Sequence, residues 1–322
     1  MTANTGNSSA SPVDPSLEPD LVLSVVVCTY NREELLQQCL ESLAEQTLDR
    51  ERYEVIVVDN NSTDKARDIA TSFAERHRHF KVVHEAQQGI SHARNLGWRE
   101  ARGQFVAYAD DDTEAAPDWC ERILAAFTTV SPQPVALGGK ILPRYEVMPP
   151  SWFCDDFEMR SWGDTAGFLQ PPQAAYGFSG ANMSFTKDVL QEFGGFSPRY
   201  GCGTGESTGP GEETDLFLRI YSTHPLFWYD PRMLVYHWTP QRCLTVSYRL
   251  YRSFKGGESI AQMVKARVLS ASYLFTLVTL LWLVATTPIA LFASGRKLRS
   301  AAVRRAEELA GKIGYLFGSF PD

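Results

Sequence analysis

Two apolar patterns alternate along the first third of the chain. Leu23-Ser-Val-Val-Val-Cys-Thr29, Glu54-Val-Ile-Val-Val-Asp59 and Phe105-Val-Ala-Tyr-Ala-Asp110 are short, nearly unbroken apolar runs that stop at polar residues, the pattern of buried strands. After the first, Leu35, Leu36, Cys39, Leu40 and Leu43 recur at the spacing of one helical face, which predicts a helix over Glu33 to Gln46. Strand, loop and helix in repetition argue for a parallel sheet covered on both faces, an α/β fold. In such sheets ligands bind beyond the carboxyl ends of the strands. Thr29, Asn31, Arg32, Asp59, Asn60 and the group Asp110 to Asp112 therefore converge on one crevice, although each also reads as a cap or turn residue.

The acidic triplet carries the most chemistry. Strand alternation puts Asp110 and Asp112 on one face, about 7 Å apart, with Asp111 pointing away. Two such carboxylates suit a hard divalent cation, which takes oxygen ligands and bridges protein carboxylates to a diphosphate. The competing reading is a solvated turn, or a cap at Thr113 or Asp118 for a helix near Pro117.

Four blocks in order, Val-Val-Val-Cys-Thr-Tyr-Asn-Arg32, Val-Ile-Val-Val-Asp-Asn-Asn-Ser-Thr-Asp64, Gly89-Ile-Ser-His-Ala-Arg-Asn-Leu-Gly97 and Ala109-Asp-Asp-Asp112, resemble those of family-2, GT-A-fold glycosyltransferases. The resemblance continues through Gly180-Ala-Asn-Met-Ser184, Gly194-Gly-Phe196, Gly211-Glu-Glu-Thr-Asp215, Val235-Tyr-His237 and Arg252-Ser-Phe-Lys-Gly-Gly-Glu-Ser259, so it spans residues 21–260. It implies a Rossmann-like layered mixed sheet with helices on both faces. It also implies inverting transfer of a sugar, of the hexosyl type, from a nucleotide-diphosphate donor to an acceptor hydroxyl. A pathway making surface polysaccharide or glycolipid follows only by analogy.

Roles follow from the resemblance position by position. Asp59 matches the carboxylate that meets the nucleotide base or ribose, with Thr29, Asn31 and Arg32 in the same pocket. Arg94 falls in the block that contacts the diphosphate, where a guanidinium near a helix N-terminus adds to an anion site. Asp110 and Asp111 belong to the donor side. Asp112, with Asp110 and His237, would hold Mn²⁺ or Mg²⁺, and imidazole favours Mn²⁺. A histidine beside a strand otherwise reads as structural.

The general base is expected in Gly211-Glu-Glu-Thr-Asp215, because an acceptor hydroxyl must lose its proton as it attacks C1. The family usually has Glu-Asp here. This chain has Glu212-Glu213, which by position makes Glu213 the base with one extra methylene, and leaves Glu212 and Asp215 as alternatives. All three also suit the first turn of a helix with no catalytic role. Gly201 to Gly211 reads as a loop that closes on donor. For the acceptor, a saccharide or lipid-linked molecule, Asn182 and an aromatic wall of Trp152, Phe153, Trp162, Phe168, Tyr176 and Phe178 are candidates, and the aromatics also read as core.

Two rival functions share parts of this pattern. A sugar-nucleotide nucleotidyltransferase needs a Gly-rich, basic triphosphate loop near the N-terminus, and residues 23–33 lack one. A catalytically silent membrane adaptor would retain the fold and bind donor without turnover. Composition narrows the field: a net charge of −7 argues against nucleic-acid binding. The six cysteines are widely spaced with no Cys-x-x-Cys, so reduced thiols in the cytosol are expected rather than a zinc ribbon or disulfide scaffold.

Three segments result. Residues 1–20, without aromatics, Lys or Arg, are expected to be disordered and are no secretory signal. Residues 21–260 form the catalytic domain. Residues 261–322 form a membrane-associating tail that anchors the protein at the cytoplasmic face of the cell membrane. Within it Val268 to Gly295 carries no charged residue, long enough to cross a bilayer. Pro288 allows a re-entrant hairpin instead, and a buried core helix is the third possibility. Basic residues flank both sides, so the charge rule leaves topology open. Residues 298–318 read as an amphipathic helix for an anionic leaflet.

Overall fold

Four parallel strands realise the apolar runs: β1 (Leu23–Thr29), β2 (Tyr53–Asp59), β3 (Phe80–His84) and β4 (Phe105–Asp110). Between them run α1 (Glu33–Ala44), α2 (Ala66–Arg76) and α3 (Ile90–Glu100). In this computed structural model, which describes residues 21–171, 177–201, 211–264, 269–293 and 298–320, β1 is central to that group. It pairs with β2 so that Thr29 lies opposite Asp59, and with β4 so that Cys28 lies opposite Asp110. The carboxyl ends of three strands are therefore level, and the loops that follow share one edge.

Beyond β4 the sheet ceases to be parallel, giving the mixed sheet that the resemblance implies, of which the apolar runs alone show only the parallel part. Next along the chain are β5 (Thr113–Ala115), α4 (Trp119–Thr129), β6 (Ala136–Tyr145), β7 (Gly167–Phe168), β8 (Met183–Thr186) and α5 (Lys187–Phe193). They are followed by α6 (Glu212–Tyr221) and β9 (Phe227–Thr239). The order is β3-β2-β1-β4-β8-β6-β9-β5, with β7 on β9. Strand β8 runs antiparallel to both β4 and β6, and β5 runs antiparallel to β9 with Thr113 opposite His237. No helix cap follows the acidic triplet directly, because the chain turns into β5 first.

Side-chain alternation along β1 feeds two cores. Val25 and Val27 pack with Leu36, Leu40 and Leu43 of α1, Phe73 of α2, and Trp119 and Phe127 of α4. Val26 packs on the other face with Trp98 of α3 and Leu216, Phe217 and Ile220 of α6. Each such buried aliphatic or aromatic side chain contributes roughly 1.5–3 kcal/mol, so both helix layers are fixed on the sheet. Residues 1–20, Tyr176 and the glycine-rich 202–210 lie outside the described residues, as do Lys265, Arg267, Arg296 and Lys297.

The C-terminal region is a three-helix unit of α7 (Val246–Met263), α8 (Ala271–Ala293) and α9 (Leu298–Phe317). Helices α7 and α9 touch backbone to backbone. A Cβ on Gly257 would lie 1.9 Å from the Gly311 carbonyl oxygen, and one on Gly314 would lie 2.0 Å from that of Phe254. Arg249 of α7 fastens the unit to the catalytic layer: it is buried and reaches Glu158 at 2.5 Å, Glu307 at 2.7 Å and the Phe157 carbonyl at 3.0 Å. Helix α8 continues through Pro288 to Ala293, so the break expected there does not occur. Its stripe of Leu274, Phe275, Val278, Leu281 and Trp282 faces outward, with Phe275 70% exposed, which rules out a buried core helix. Among the described residues no helix is long and apolar enough to cross a membrane, so the bilayer crossing considered for 268–295 is not found.

Candidate active site

The level ends of β1, β2 and β4 open into a cavity of about 910 Å³. Two loops are built to face it. Asn31 and Asn61 take left-handed backbone conformations, with φ of 53° and 66°, which asparagine tolerates better than most residues. The loops are then tied together: Asn31 Oδ1 accepts the Thr63 N–H at 2.7 Å, Asp64 Oδ2 accepts the Glu33 N–H at 3.0 Å, and Glu33 Oε2 accepts the Lys65 N–H at 2.8 Å. Asn60 orders the approach to α3, donating to the Glu85 and Gln87 carbonyls and accepting the Gly89 N–H at 2.8 Å.

The cavity wall is strongly acidic. Glu33, Glu34, Asp64, Asp110, Asp111, Asp112, Glu158, Glu212 and Glu213 line it, against four arginines at 32, 94, 242 and 252. Carboxylates outnumber arginines here, so the wall by itself repels a nucleotide diphosphate more than it attracts one. Asp110, Asp112 and His237 each offer a ligand atom, and these atoms lie within 4.8 Å of one another. Register delivers the histidine: β5 pairs with β9, and the Trp238 N–H donates to the Asp112 carbonyl at 2.8 Å. Asp112 Oδ1 is buried, accepts no hydrogen bond and faces His237 Nε2 at 3.3 Å, while Arg32 holds Oδ2. An orphaned carboxylate oxygen beside an imidazole nitrogen fits a divalent cation of mixed oxygen and nitrogen preference. Asp111 turns under Arg32, 3.4 Å away, and burial pushes its carboxyl up to about 7.

A second charged cluster lies at the start of α6. The Arg94 guanidinium, only 4% exposed, contacts Glu212 at 2.7 Å, Asp110 at 3.2 Å and Glu213 at 3.3 Å. Its charge is thereby shared among three carboxylates while it lines the cavity. Glu213 is the more accessible glutamate, with its side chain 23% exposed. Burial, and Glu212 beside it, push its carboxyl up to about 7 against the pull of Arg94. Asp215 faces elsewhere, pairing at 2.9 Å with Arg219, which in turn donates to the Phe193 and Gly195 carbonyls. Of the three acids in this first turn, Glu212 and Glu213 line the cavity, and Glu213 is the more exposed of that pair.

A mixed sheet, level strand ends and an aspartate pair opening on one cavity together define a GT-A glycosyltransferase architecture. The chain belongs to the family described as glycosyl transferase family 2, whose model matches residues 24–194, and it is a glycosyltransferase. It is 30% identical over 240 residues to the glucosyl-dolichyl phosphate glucuronosyltransferase of Haloferax volcanii, covering 74% of this chain and 75% of that one. It is 27% identical over 248 residues to the succinoglycan biosynthesis protein ExoM of Rhizobium meliloti, covering 76% and 75%. Its fold is similar to that of the mannosyltransferase PcManGT from Pyrobaculum calidifontis in complex with GDP-Man and Mn²⁺, with a TM-score of 0.63 and 20% identity. That match covers 94% of this chain and 89% of the other.

Several expected site residues are placed outside the cavity. Asp59 is buried beneath the loop it begins, accepting the Ser62 N–H at 3.0 Å and facing His84 at 3.3 Å; Asn60 and Asp64 line the cavity in its stead. Trp152 stacks edge-on against Phe153 and Phe157, and Trp162 is exposed away from the cavity lining. The far wall is made instead by Glu158, Trp238, Arg242, Tyr248 and Arg252, of which only Arg252 falls in a block of the resemblance. Trp238 lies at the end of β9, Arg242, Tyr248 and Arg252 come from the turn after it and the start of α7, and Glu158 follows a 3-10 turn at Asp155–Phe157.

Asn182 is the plainest correction. It is fully buried, accepts from Trp119 Nε1 at 2.9 Å, and donates to the Met233 and Lys140 carbonyls at 2.8 and 3.2 Å. Its amide holds the backbone of two strands, β6 and β9, and an indole, leaving nothing for an acceptor. Asn182→Ala is expected to cost about 1–3 kcal/mol for each buried partner left unpaired, read as a lowered denaturant midpoint. A midpoint equal to wild type with weakened acceptor binding would restore the acceptor role.

Proposed function

We propose that this protein is a metal-dependent inverting glycosyltransferase that moves a sugar from a nucleotide-diphosphate donor to a hydroxyl of a saccharide or lipid-linked acceptor, in surface polysaccharide or glycolipid synthesis. The observation that carries the reading is the meeting, in one cavity, of the Asp110, Asp112 and His237 cluster with Glu213. Named relatives acting on a dolichyl phosphate glycolipid and in succinoglycan synthesis support the class of acceptor.

The steps belong to this chain's residues. Asn60, Asp64 and Thr29 line the end of the cavity where the nucleotide would lie. Asp110, Asp112 and His237 would hold Mn²⁺ or Mg²⁺, which supplies the positive charge needed by a departing diphosphate. Glu213 takes the proton of the acceptor hydroxyl as its oxygen bonds to C1, while the C1–O bond to the diphosphate breaks and its electron pair leaves with the phosphate. One displacement from the opposite face inverts the anomeric centre. Trp238 and Tyr248, with Arg242 and Arg252, offer flat and hydrogen-bonding surfaces for the acceptor.

Metal dependence is tested at Asp112. Asp112→Asn removes charge from the orphaned oxygen's carboxylate, so Mn²⁺-dependent donor affinity should fall more than about tenfold in calorimetry across a panel of UDP- and GDP-sugars. Equal Mn²⁺-dependent affinity in the variant would remove Asp112 from the metal site.

The base is tested by substitution and by pH. Glu213→Gln keeps the shape but accepts no proton, so turnover should fall by about 10²–10⁴ with donor affinity nearly intact. A base works deprotonated. With its carboxyl pushed up to about 7, kcat should therefore hold above that pH and decline by about tenfold per unit below it. Glu213→Gln should lose this limb; a variant with wild-type turnover would place the base elsewhere.

The tail completes the reading. The outward stripe of α8, on a helix with no charged residue, and the basic residues of α9 support docking on the anionic cytoplasmic leaflet without crossing it. The full chain is expected to float with anionic lipid vesicles, and Phe275→Glu with Trp282→Glu to abolish flotation. Unchanged flotation in the double variant would exclude this face.

A further inference from the structure

We infer that Arg94 and Gly180 are positioning residues that hold the Glu213 carboxylate for proton transfer and tie it to the metal-ligand end of the cavity. The inference rests on the base role proposed for Glu213. Three elements meet here: α3 supplies Arg94, α6 supplies Glu212 and Glu213, and the 3-10 turn Gly180–Asn182 closes the third side. Arg94 Nη1 lies 2.7 Å from Glu212 Oε1 and 3.3 Å from Glu213 Oε1, and Nη2 lies 3.2 Å from Asp110 Oδ1. One planar fork thus spans three carboxylates from two separate nitrogens, a reach that a lysine's compact ammonium does not match.

Gly180 acts by having no side chain. A Cβ there would sit 2.1 Å from Arg94 Nη2 and 2.6 Å from Glu213 Oε1, so any other residue displaces the pair. Its backbone N–H donates to Glu213 Oε1 at 3.2 Å. Both contacts fall on Oε1, which leaves Oε2 as the oxygen aimed at the acceptor. The arrangement also accounts for an arginine buried beside the ring of Phe196, 5.4 Å from its centroid, with its charge met by carboxylates. Removing that cation would leave three carboxylates facing one another in a poorly solvated site, with mutual repulsion driving Glu213 out of register.

The experiment uses the full chain with Mn²⁺ and the nucleotide sugar that gives the largest Mn²⁺-dependent thermal shift, water serving as acceptor. Turnover is counted per donor-binding site, so that partial misfolding does not enter. Gly180→Ala and Arg94→Lys are each expected to lower kcat about 10- to 100-fold with donor KM within about threefold, and Arg94→Ala to lose still more than Arg94→Lys. A merely structural role would reduce the number of binding sites while leaving kcat per site unchanged. If Glu213→Gln is inactive but both Gly180→Ala and Arg94→Lys keep wild-type kcat, the positioning inference fails alone. A rise in donor KM with unchanged kcat in Arg94→Lys would return the arginine to the diphosphate. If Glu213→Gln itself turns over normally, the base reading fails and takes the inference with it.

Discussion

Containment of negative charge governs this site. Nine carboxylates share one cavity with four arginines, and three of those carboxylates converge on the single buried guanidinium of Arg94. Such a cluster is stable only where each charge has a partner in good geometry. Arg94 supplies this at the α6 end and Arg32 at the β4 end, where it covers Asp111 and one oxygen of Asp112. The remaining oxygen of Asp112 and the imidazole of His237 are left facing each other, and the two halves of the cavity acquire different tasks from their different cations. A carboxylate left open to a metal and a carboxylate kept near neutrality follow from one charge imbalance.

The sheet makes that imbalance possible. Level pairing of β1 with β2 and β4 sets Asp59 opposite Thr29 and Asp110 opposite Cys28, and β5 returns along β9 to bring His237 against Asp112. The parallel half of this was legible in the apolar runs, because a β-branched run ending in a polar loop specifies both the strand and the end at which it stops. The antiparallel half was not. Strands β6, β8 and β9 join through contacts between residues far apart in sequence, with Asn182 and its three partners at their crossing. An asparagine in Gly-Ala-Asn-Met-Ser has the same spacing whether it faces a ligand or a backbone carbonyl.

Site residues divide along the same line. Asp110 and Asp112 stand out as a strand-end pair, whereas His237 and Glu213 are named only through the family resemblance, since a histidine beside a strand and glutamates in a helix's first turn otherwise read as structural; all four line one cavity. Arg94 could be named but not oriented, since a guanidinium near a helix start serves a phosphate or a carboxylate equally well until the neighbours are known. Arg242 and Tyr248 carried no signal and Arg252 only its place in a matched block, because the turn after β9 and the start of α7 meet the strand ends only in the folded chain. In the tail, absence of charge from Ala271 to Ala293 identified an apolar helix. Its outward stripe, and its binding to α9 through Arg305 and Lys312, are properties of packing.

The extra methylene at position 213 acquires a physical reading from the same cluster. A glutamate reaches further than the aspartate usual at this place and has one more rotatable bond, so its carboxylate is harder to hold still. Here the added reach carries Oε1 to within hydrogen-bonding distance of the Gly180 N–H and beside the Arg94 fork, into space that exists only because residue 180 lacks a Cβ. The longer side chain and the missing one are thus two parts of a single fit. The rotamer freedom that glutamate adds is restrained by the two contacts on Oε1, from the Gly180 N–H and from Arg94.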